Sequence, residues 1–386
     1  MRFIHLMHDD KFFDTAIEIF NSLTDQENLF IVGTDTDNYS IKYIRSRLVS
    51  VMKYNSLQYK NLITTIQSDD IIVTHYLDRQ KASVINAITA NPKILWLSFG
   101  AELYTSPEYD LPLHCPYTRL LVALNPKNIA RRVRSAYRTY SKFHKDPVNA
   151  AIPKIKYLAT PLDGEFKLFL KYFPGLTATQ VFFQYGSLEQ ILGEAFHKNT
   201  PLGNGVFIGN SNTPASNHVD AFRFIKKIKI KGAKVVVPLS YGGDRFYKSA
   251  VMIAGKINFG TDFQPQLHFL DRTAYVEKLA ECGTAVFMHI RQQAIGNIFI
   301  ALWLGLKVFL LKENPCFAHF KSKGIAIYLI DKFAETEFNT PLPADQKMLN
   351  RQLLISHFGR REVYQKIKLM LELFSSGENI KSRHSY

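Results

Sequence analysis

The sequence predicts an α/β protein built from two consecutive doubly wound, Rossmann-like domains with a cleft between them. Short apolar runs alternate with amphipathic helical patterns along almost the whole chain, the signature of a parallel sheet covered by helices on both faces. The alternation halts at a polar, glycine-containing stretch near the middle and then restarts. The length, 386 residues, suits two domains of roughly 150 to 200 residues each.

Phe3–Met7 is the first strand, followed by a polar loop and an amphipathic helix over Phe13–Leu23. "NLFIVGT" is a second strand ending at Gly33, and "DIIVTHY" predicts a buried strand over Ile71–Tyr76. A helix over Gln80–Ala90 and the strand "KILWLSFG" come next, then "IKYLAT", a helix over Gly164–Tyr172 and "TQVFFQY". The polar segment "LGEAFHKNTPLGNG" places the boundary near Ser187–Gly203, giving domains of 1–187 and 188–345 and a helical C-terminal portion at 346–386. The second series contains the strands "GVFIGN", "AKVVVPLS", "QLHFL", "TAVFMHI", "LKVFLL" and "IAIYLI". Helical patterns separate them over Asn217–Ile230, Arg245–Gly255, Thr273–Glu281 and Ala294–Leu304.

The formal net charge is +15, a long-range field that favours anionic partners: nucleic acid, an anionic membrane surface or a phosphorylated substrate. Much of it gathers in "NIARRVRSAYRTYSKFHK", where Arg131, Arg132, Arg134, Arg138, Lys142 and Lys145 share one helical stretch. That stretch reads equally as a solvated helix face or as a basic amphipathic surface for lipid headgroups. The three cysteines, Cys115, Cys282 and Cys316, match no zinc or redox spacing and fit a reducing compartment. The N-terminus lacks the apolar core of a signal peptide. The most apolar segment, Ile298–Leu311, is shorter than the roughly 20 residues of a membrane span and carries Lys307. These features predict a cytoplasmic protein, soluble or peripheral on a membrane.

Candidate chemistry lies at strand ends, because ligands of open parallel sheets sit outside the carboxyl ends of strands. In "VFIGNSNTPASNHVDAFRFI" a strand ends at Gly209 and a polar loop of Asn210, Ser211, Asn212 and Thr213 leads to a helix that Ser216 or Asn217 can cap. Free N–H groups and the positive dipole end of that helix suit a phosphate, although a plain strand–turn–helix accounts for the loop equally well. The loop has neither dinucleotide G-x-G-x-x-G spacing nor a Walker lysine. Ser240 and Tyr241 occupy a turn at the end of the next strand. After "TAVFMHI" come Arg291, Gln292 and Gln293, with Gly296 and Asn297 opening an apolar helix. Arg291 offers a fork of donors to phosphate, and the glutamines can bond ribose or sugar hydroxyls. Asn314 marks one more strand end. In the first half Asp9, Asp10 and Lys11 follow the first strand, His75 follows "IIVT" and Glu102 follows "LWLSFG". A carboxylate here would be the base for an acceptor hydroxyl, and each of these groups also reads as an ordinary solvated or hydrogen-bonded residue. No G-x-S-x-G, H-E-x-x-H or clustered metal-ligand spacing occurs.

Several segments resemble the TDP-4-acetamido-4,6-dideoxygalactose (TDP-Fuc4NAc):lipid II transferases of enterobacterial common antigen synthesis, over roughly Phe3–Ile330. The resemblance rests on "GNS" with Asn217 and His218, on "KVVVPLSYG", on "RQQAIGNIFIALWLGLKVFL" and on "ENP". In the first half it rests on His5, Asp10, His75, "FGAELY" at Phe99–Tyr104 and "YLAT" at Tyr157–Thr160. It implies a GT-B glycosyltransferase that needs no metal or other cofactor. It also implies a nucleotide-sugar donor held by the second domain and an undecaprenyl-diphosphate-linked acceptor held by the first, at the inner membrane. By analogy, the last helices return to the first domain. The residues implied on the donor side are Gly209, Asn210, Ser211, Asn217, His218, Ser240, Tyr241, Arg291, Gln292, Gln293, Gly296, Asn297 and Asn314. Asp10 or Glu102 would be the base of an inverting transfer, with Asp9, Lys11 and His75 nearby on the acceptor side. The basic stretch from Arg131 to Lys142 would face the membrane. The family's usual "WGADLY" reads "FGAELY" here, with Phe99 for tryptophan and Glu102 for aspartate. Both changes fall on the acceptor side, where an O-antigen or capsule repeat is an alternative to common antigen. Two other readings stand beside this one. A nucleotide-sugar-modifying enzyme of epimerase type would use the same crevice. A nucleic-acid-binding protein would use the charge, but no DNA- or RNA-binding module is recognisable.

Overall fold

Two all-parallel sheets organise the chain, in a computed structural model that describes residues 1–129, 146–228, 232–331, 334–338 and 340–375. The described residues fall into two compact units. One comprises 1–109, 146–187 and 360–375, the other 110–129 and 188–359.

The sheet of the first unit contains β1 (Arg2–Met7), β2 (Glu27–Thr34), β3 (Val49–Lys53), β4 (Ile71–His75), β5 (Lys93–Leu97), β6 (Tyr157–Ala159) and β7 (Thr179–Gln180). Their order is β3-β2-β1-β4-β5-β6-β7. The central strands are buried on both faces, which is why they read as unbroken apolar runs. β3 is a half-buried strand at the sheet edge that the apolar pattern did not reveal. The helix Phe13–Leu23 buries Phe13, Ile17 and Phe20 against the sheet. On the same core lies the helix Arg360–Ser375, through Val363, Ile367, Met370, Leu371 and Phe374. The Phe374 ring packs edge-on to Phe3 at 6.2 Å and to Tyr157 at 4.8 Å.

The second sheet contains β8 (Gly205–Ile208), β9 (Val235–Pro238), β10 (Phe263–Gln266), β11 (Cys282–Phe287), β12 (Lys307–Leu310) and β13 (Tyr328–Leu329), in the order β10-β9-β8-β11-β12-β13. In each sheet the winding direction reverses once, between β1 and β4 and between β8 and β11. Crevices outside the strand ends therefore open at those two points.

Three sequence-based placements change. The division at Ser187 assigns residues 110–129 to the first domain, yet they pack in the second unit. The cause is local. The Asp220 carboxylate accepts the N–H groups of Tyr117 (3.0 Å) and Thr118 (2.8 Å) at the start of the helix Pro116–Leu124. The strand expected at "QLHFL" lies earlier, as β10. It is an edge strand that pairs only with β9 and tolerates Pro265, while Phe269 is left 75% exposed in the loop beyond. The C-terminal helical portion is split at Gly359, so that the helix Ala344–Phe358 belongs to the second unit and Arg360–Ser375 to the first. Arg131, Arg132, Arg134, Arg138 and Lys142 lie outside the described residues. Among the described residues no helix is long and apolar enough to cross a membrane.

Phe374→Ala removes a fully packed aromatic ring from the first core and is expected to lower stability by about 3–5 kcal/mol in urea unfolding. A loss below about 1 kcal/mol would show that this helix does not complete the core.

Candidate active site

At the β8/β11 reversal the chain leaves β8 through Gly209, with φ of 71°. A Cβ there would stand 3.0 Å from His218 Nε2, so glycine lets the backbone pass close to the imidazole. A short turn over Pro214–Ser216 leads to Asn217, itself left-handed at φ 51°, and the helix His218–Ile228 follows. Asn217 spends its whole amide on the scaffold. Its Oδ1 accepts Cys115 N–H (2.8 Å), and its Nδ2 donates to the carbonyls of Met288 (2.7 Å) and Ala215 (3.2 Å).

The Tyr247 hydroxyl accepts His218 N–H at 3.3 Å and lies 3.1 Å from His218 Nδ1. With the hydroxyl donating to Nδ1, the imidazole hydrogen resides on Nε2, which is buried without a partner beside Gly209. Across the reversal, His289 Nε2 and Gln293 Nε2 both reach Asn210 Oδ1, at 3.1 and 2.9 Å. Gln293 Nε2 also donates to Thr213 Oγ1 at 3.1 Å. These bonds orient both side chains and leave His289 Nδ1 and Gln293 Oε1 buried and unpartnered. Next to them the helix Ile295–Leu304 starts after Ala294, held left-handed at φ 63°, with no side chain capping its first turn. A left-handed alanine costs about 1–2 kcal/mol, strain of the kind that gathers at binding sites. The Cα of Gly296 in that turn faces open space. Burial, with Arg291 adding to it, lowers the pKa of His114 and takes that of His289 down to about 3. The reversal thus brings together the Arg291 loop, uncapped helix N–H groups and buried polar atoms without partners, features that suit an anion with hydroxyls attached.

In the first unit, His8 follows β1 at once. Its ring packs against Phe13, Tyr76 and Phe99, at centroid distances of 5.2, 5.8 and 5.9 Å. Nδ1 is buried without a partner, and Nε2 lies 4.0 Å from Asp10 Oδ2, with both side chains about one-third exposed. Burial, then the nearby Lys81 charge, lowers the His8 pKa, so the imidazole is free to take up a proton at neutral pH. Beneath it runs a buried chain of hydrogen bonds. Tyr185 OH meets His75 Nδ1 at 2.7 Å, His75 Nε2 meets His5 Nδ1 at 3.0 Å, and His5 Nε2 meets Asn28 Oδ1 at 3.2 Å. Asn28 Nδ2 donates to the Gln26 carbonyl, which makes Oδ1 an acceptor and fixes the direction of the chain: every group donates toward Asn28, and both imidazoles are neutral.

Comparison with known proteins identifies the architecture and the family. Residues 158–352 match the pattern of the 4-alpha-L-fucosyltransferases, glycosyl transferase group 56. The chain belongs to this family. Among similar solved structures is the N-terminal domain of Candida albicans trehalose-6-phosphate phosphatase, with a TM-score of 0.64, 9% identity, and 97% of this chain and 96% of that one covered. A UDP-forming trehalose-phosphate synthase from Burkholderia xenovorans gives a TM-score of 0.61 at 8% identity, covering 97% and 99%. The E. coli protein bound with UDP-2-fluoro glucose gives 0.59 at 9%, also covering 97% and 99%. These likenesses show the fold, GT-B with two Rossmann-like domains. The chain is thus a hexosyltransferase of GT-B type.

Within the transferase, Gly209, Asn210, Ser211, His218, Gln293 and Gly296 gather at the β8/β11 reversal, with Arg291, Gln292 and Asn297 on the loop and first turn beside it. Asn217 is in place but fully used. Ser240 and Tyr241 line a small cavity next to Asn210. Asn314 is buried and caps the helix Pro315–Ser322 through Cys316 N–H at 2.9 Å. A larger cavity of about 200 Å³, with Leu121, Asn125, Asp244 and Phe246 in its wall, holds a carboxylate kept ionised by the N–H of Tyr247 and is ill suited to phosphate. Among the described residues no group of three or more His, Cys, Asp or Glu side chains is placed to hold a metal.

The expected residues of the first unit are largely structural. Glu102 is 6% exposed, and its carboxylate accepts Trp96 Nε1 (3.2 Å) and Phe99 N–H (3.1 Å), so it braces the loop after β5. Asp9 pins the loop at 42–44 by accepting three backbone N–H groups and the Tyr39 hydroxyl. His75 is locked in the buried chain. Lys11 is exposed over Phe12. Of the two candidate bases, Asp10 is the accessible one, beside His8. Sequence reasoning missed His8, His289 and His114. The first two stand within two residues of a strand end, which was the available signal.

Burial takes His5, His218 and His289 down to about 3, and His75 well below its usual value. Each is neutral when folded and protonates on unfolding from about pH 6.5 downward. Their contribution is therefore constant above pH 6.5, and stability is lost as pH falls from there toward 3, by roughly 2 kcal/mol per histidine at pH 5. Glu102, pushed up to about 7 by burial, works in the opposite sense between pH 7 and 4.5, as a single group against four. Urea midpoints should agree at pH 8 and 7 and drop clearly by pH 5. Equal midpoints at pH 7.5 and 5 would contradict the neutral, buried histidines.

Proposed function

We propose that the transferase moves a 4-amino-4,6-dideoxyhexose of the Fuc4NAc type from a TDP- or UDP-linked donor to an undecaprenyl-diphosphate-linked glycan in bacterial surface polysaccharide synthesis. The observation that carries the donor half of this reading is the set of buried, unpartnered atoms at the β8/β11 reversal: His218 Nε2, His289 Nδ1 and Gln293 Oε1. Gln293 stands two residues before an uncapped helix N-terminus, and all three lie in the part of the chain that matches the fucosyltransferase family. The donor diphosphate lies against the first turn of Ile295–Leu304 and Arg291, and His218 Nε2–H donates to it. Gln293 Oε1 and His289 Nδ1 accept from hydroxyls of the donor. Fixed N–H groups and Arg291 stabilise the charge that grows on the diphosphate as the bond from the anomeric carbon to its oxygen breaks, and no metal takes part.

The acceptor belongs to the first unit. As the acceptor oxygen bonds to the anomeric carbon, its proton passes to His8, whose imidazolium is stabilised by Asp10. The net charge of +15 and the basic sequence from Arg131 to Lys142 support docking on the cytoplasmic face of the inner membrane, at about 1 kcal/mol per cation near anionic lipid.

Two measurements test the assignment. TDP, UDP, GDP and CMP are compared as thermal stabilisers of the wild type and of Arg291→Ala. Saturating TDP or UDP stabilises by about 2.7 kcal/mol at a hundred times its dissociation constant, and the variant loses most of this. No stabilisation by any nucleotide would remove the donor site. In transfer assays His8→Ala is expected to lower kcat by about 10²–10⁴ with little change in donor KM. Unchanged kcat would return the base to another residue.

A further inference from the structure

Two neighbouring helices of the second unit turn apolar side chains outward. In the helix Pro116–Leu124, Thr118 is buried, whereas Tyr117, Leu120 and Leu124, spaced for one stripe of a helix, are exposed, the two leucines at 59% each. In the helix Arg245–Phe259 the buried ladder is Tyr247, Val251 and Gly255. Phe246, Ile253 and Ile257 fall on the opposite side of that helix, and the isoleucines are 62% and 74% exposed. A helix at a protein surface ordinarily gives that side to polar residues. Single exposed apolar residues need no explanation, but two adjoining stripes of them do.

The stripes adjoin because the helices are fastened together. Asn125 Nδ2, just past the end of the first helix, donates to Oδ2 of Asp244, the cap of the second, at 2.7 Å. Leu121 and Val122 of the one and Phe246 of the other line a common cavity. Both helices are anchored at the start of His218–Ile228, the first by Asp220 and the second by the Tyr247 hydroxyl on His218 N–H. They also carry charge of one sign. Neither "PYTRLLVAL" nor "RFYKSAVMIAGKINF" contains Asp or Glu, and Arg119, Arg245 and Lys256 are exposed beside the apolar residues. Asp244, at the junction, is already engaged by Asn125 and by the Tyr247 N–H. Outward apolar residues among cations suit the interface of an anionic bilayer, where the apolar groups reach the acyl boundary and the cations meet lipid phosphates. A second copy of the chain, docked through the same face, would set cation against cation.

We propose that this face of the second unit inserts into an anionic membrane, with Leu120, Leu124, Ile253 and Ile257 at the acyl boundary and Arg119, Arg245 and Lys256 among the headgroups. The proposal rests on the membrane reading above. It adds a contact that is separate in sequence from Arg131–Lys142 and that belongs to the second unit. It also makes docking partly apolar, so that binding persists at salt concentrations that screen exposed charges.

The test is flotation with vesicles of phosphatidylglycerol mixed with phosphatidylcholine, and of phosphatidylcholine alone. It compares the wild type with the pairs Leu120→Ser/Leu124→Ser and Ile253→Ser/Ile257→Ser. A control pair, Leu48→Ser/Leu57→Ser, changes two exposed leucines of the first unit. All these side chains are exposed, so thermal midpoints should match the wild type. The wild type is expected to prefer the anionic vesicles at least about tenfold, each of the first two pairs to lose at least about tenfold in partitioning, and the control to lose nothing. Ile257→Trp reports insertion directly. Its emission should shift to shorter wavelength on vesicles and be quenched by brominated acyl chains, over the constant signal of the buried Trp96 and Trp303. If the wild type binds anionic vesicles and either pair binds them equally well, this face does not insert, and the membrane reading stands without it. An equal loss in the control pair would overturn the proposal as well. So would a wild-type dimer that the pairs dissociate while vesicle binding holds, because the partner would then be a second copy. If the wild type binds no anionic vesicle, the membrane reading itself fails and the proposal goes with it.

Discussion

The Asn217 side chain holds the second unit in working order. It sits where the chain turns from the loop after β8 into the helix His218–Ile228, and its amide reaches a backbone N–H at Cys115 and a carbonyl at Met288. Those partners are 102 and 71 positions away in sequence. One buried amide thus sets the distance between the β8 loop, the end of β11 and the segment that leads into the helix Pro116–Leu124. The left-handed backbone that asparagine tolerates well also aims the next residue, His218, at Gly209. An alanine here would strand a buried N–H and a buried carbonyl and remove the reason for the turn. The positions of His289, Gln293 and the Ile295 helix start all follow from that one registration.

A second physical theme is dryness. Both units keep imidazoles buried and uncharged where the sheets reverse. In the first unit the demand of His5 and His75 is met internally, by the one-way chain from Tyr185 to Asn28, although His8 Nδ1 has no partner. In the second it is left unmet at three atoms. The first arrangement is a finished piece of core. The second leaves polar atoms buried with bonds unmade, and the low dielectric that makes this costly would strengthen any bond formed there.

Much of this architecture is legible in the sequence. Strands buried on both faces announce themselves as unbroken apolar runs, so β1, β4, β5, β8, β9, β11 and β12 could be placed from "RFIHLM" through "LKVFLL". The polar loops after β8 and β11 were visible for the same reason, as interruptions of such runs. What the sequence did not disclose is which polar side chains are already spoken for. Glu102, Asp9, His75 and Asn217 look available at strand ends, but partners as far away as Tyr185 and Cys115 consume them. His8 and His289 look ordinary because nothing local marks an atom as unpartnered. β3 escaped notice because an edge strand needs only half an apolar face, and residues 110–129 because their allegiance is decided by Asp220, about a hundred positions on.

The path of the chain has a consequence for synthesis. The first unit is assembled from pieces that include residues 360–375, and its core lacks Phe374 and its neighbours until those residues have left the ribosome. The second unit has all its described strands by residue 329 and its last described helix by 358. Domains usually finish folding in the order in which they emerge. Here the order is inverted: the unit that starts first must wait, with one face of its sheet only partly covered, while the later one closes. Once Gly359 has emerged from the ribosome and before Ser375 has, a nascent chain carries a completed second unit beside a first unit whose core is still open and prone to aggregate.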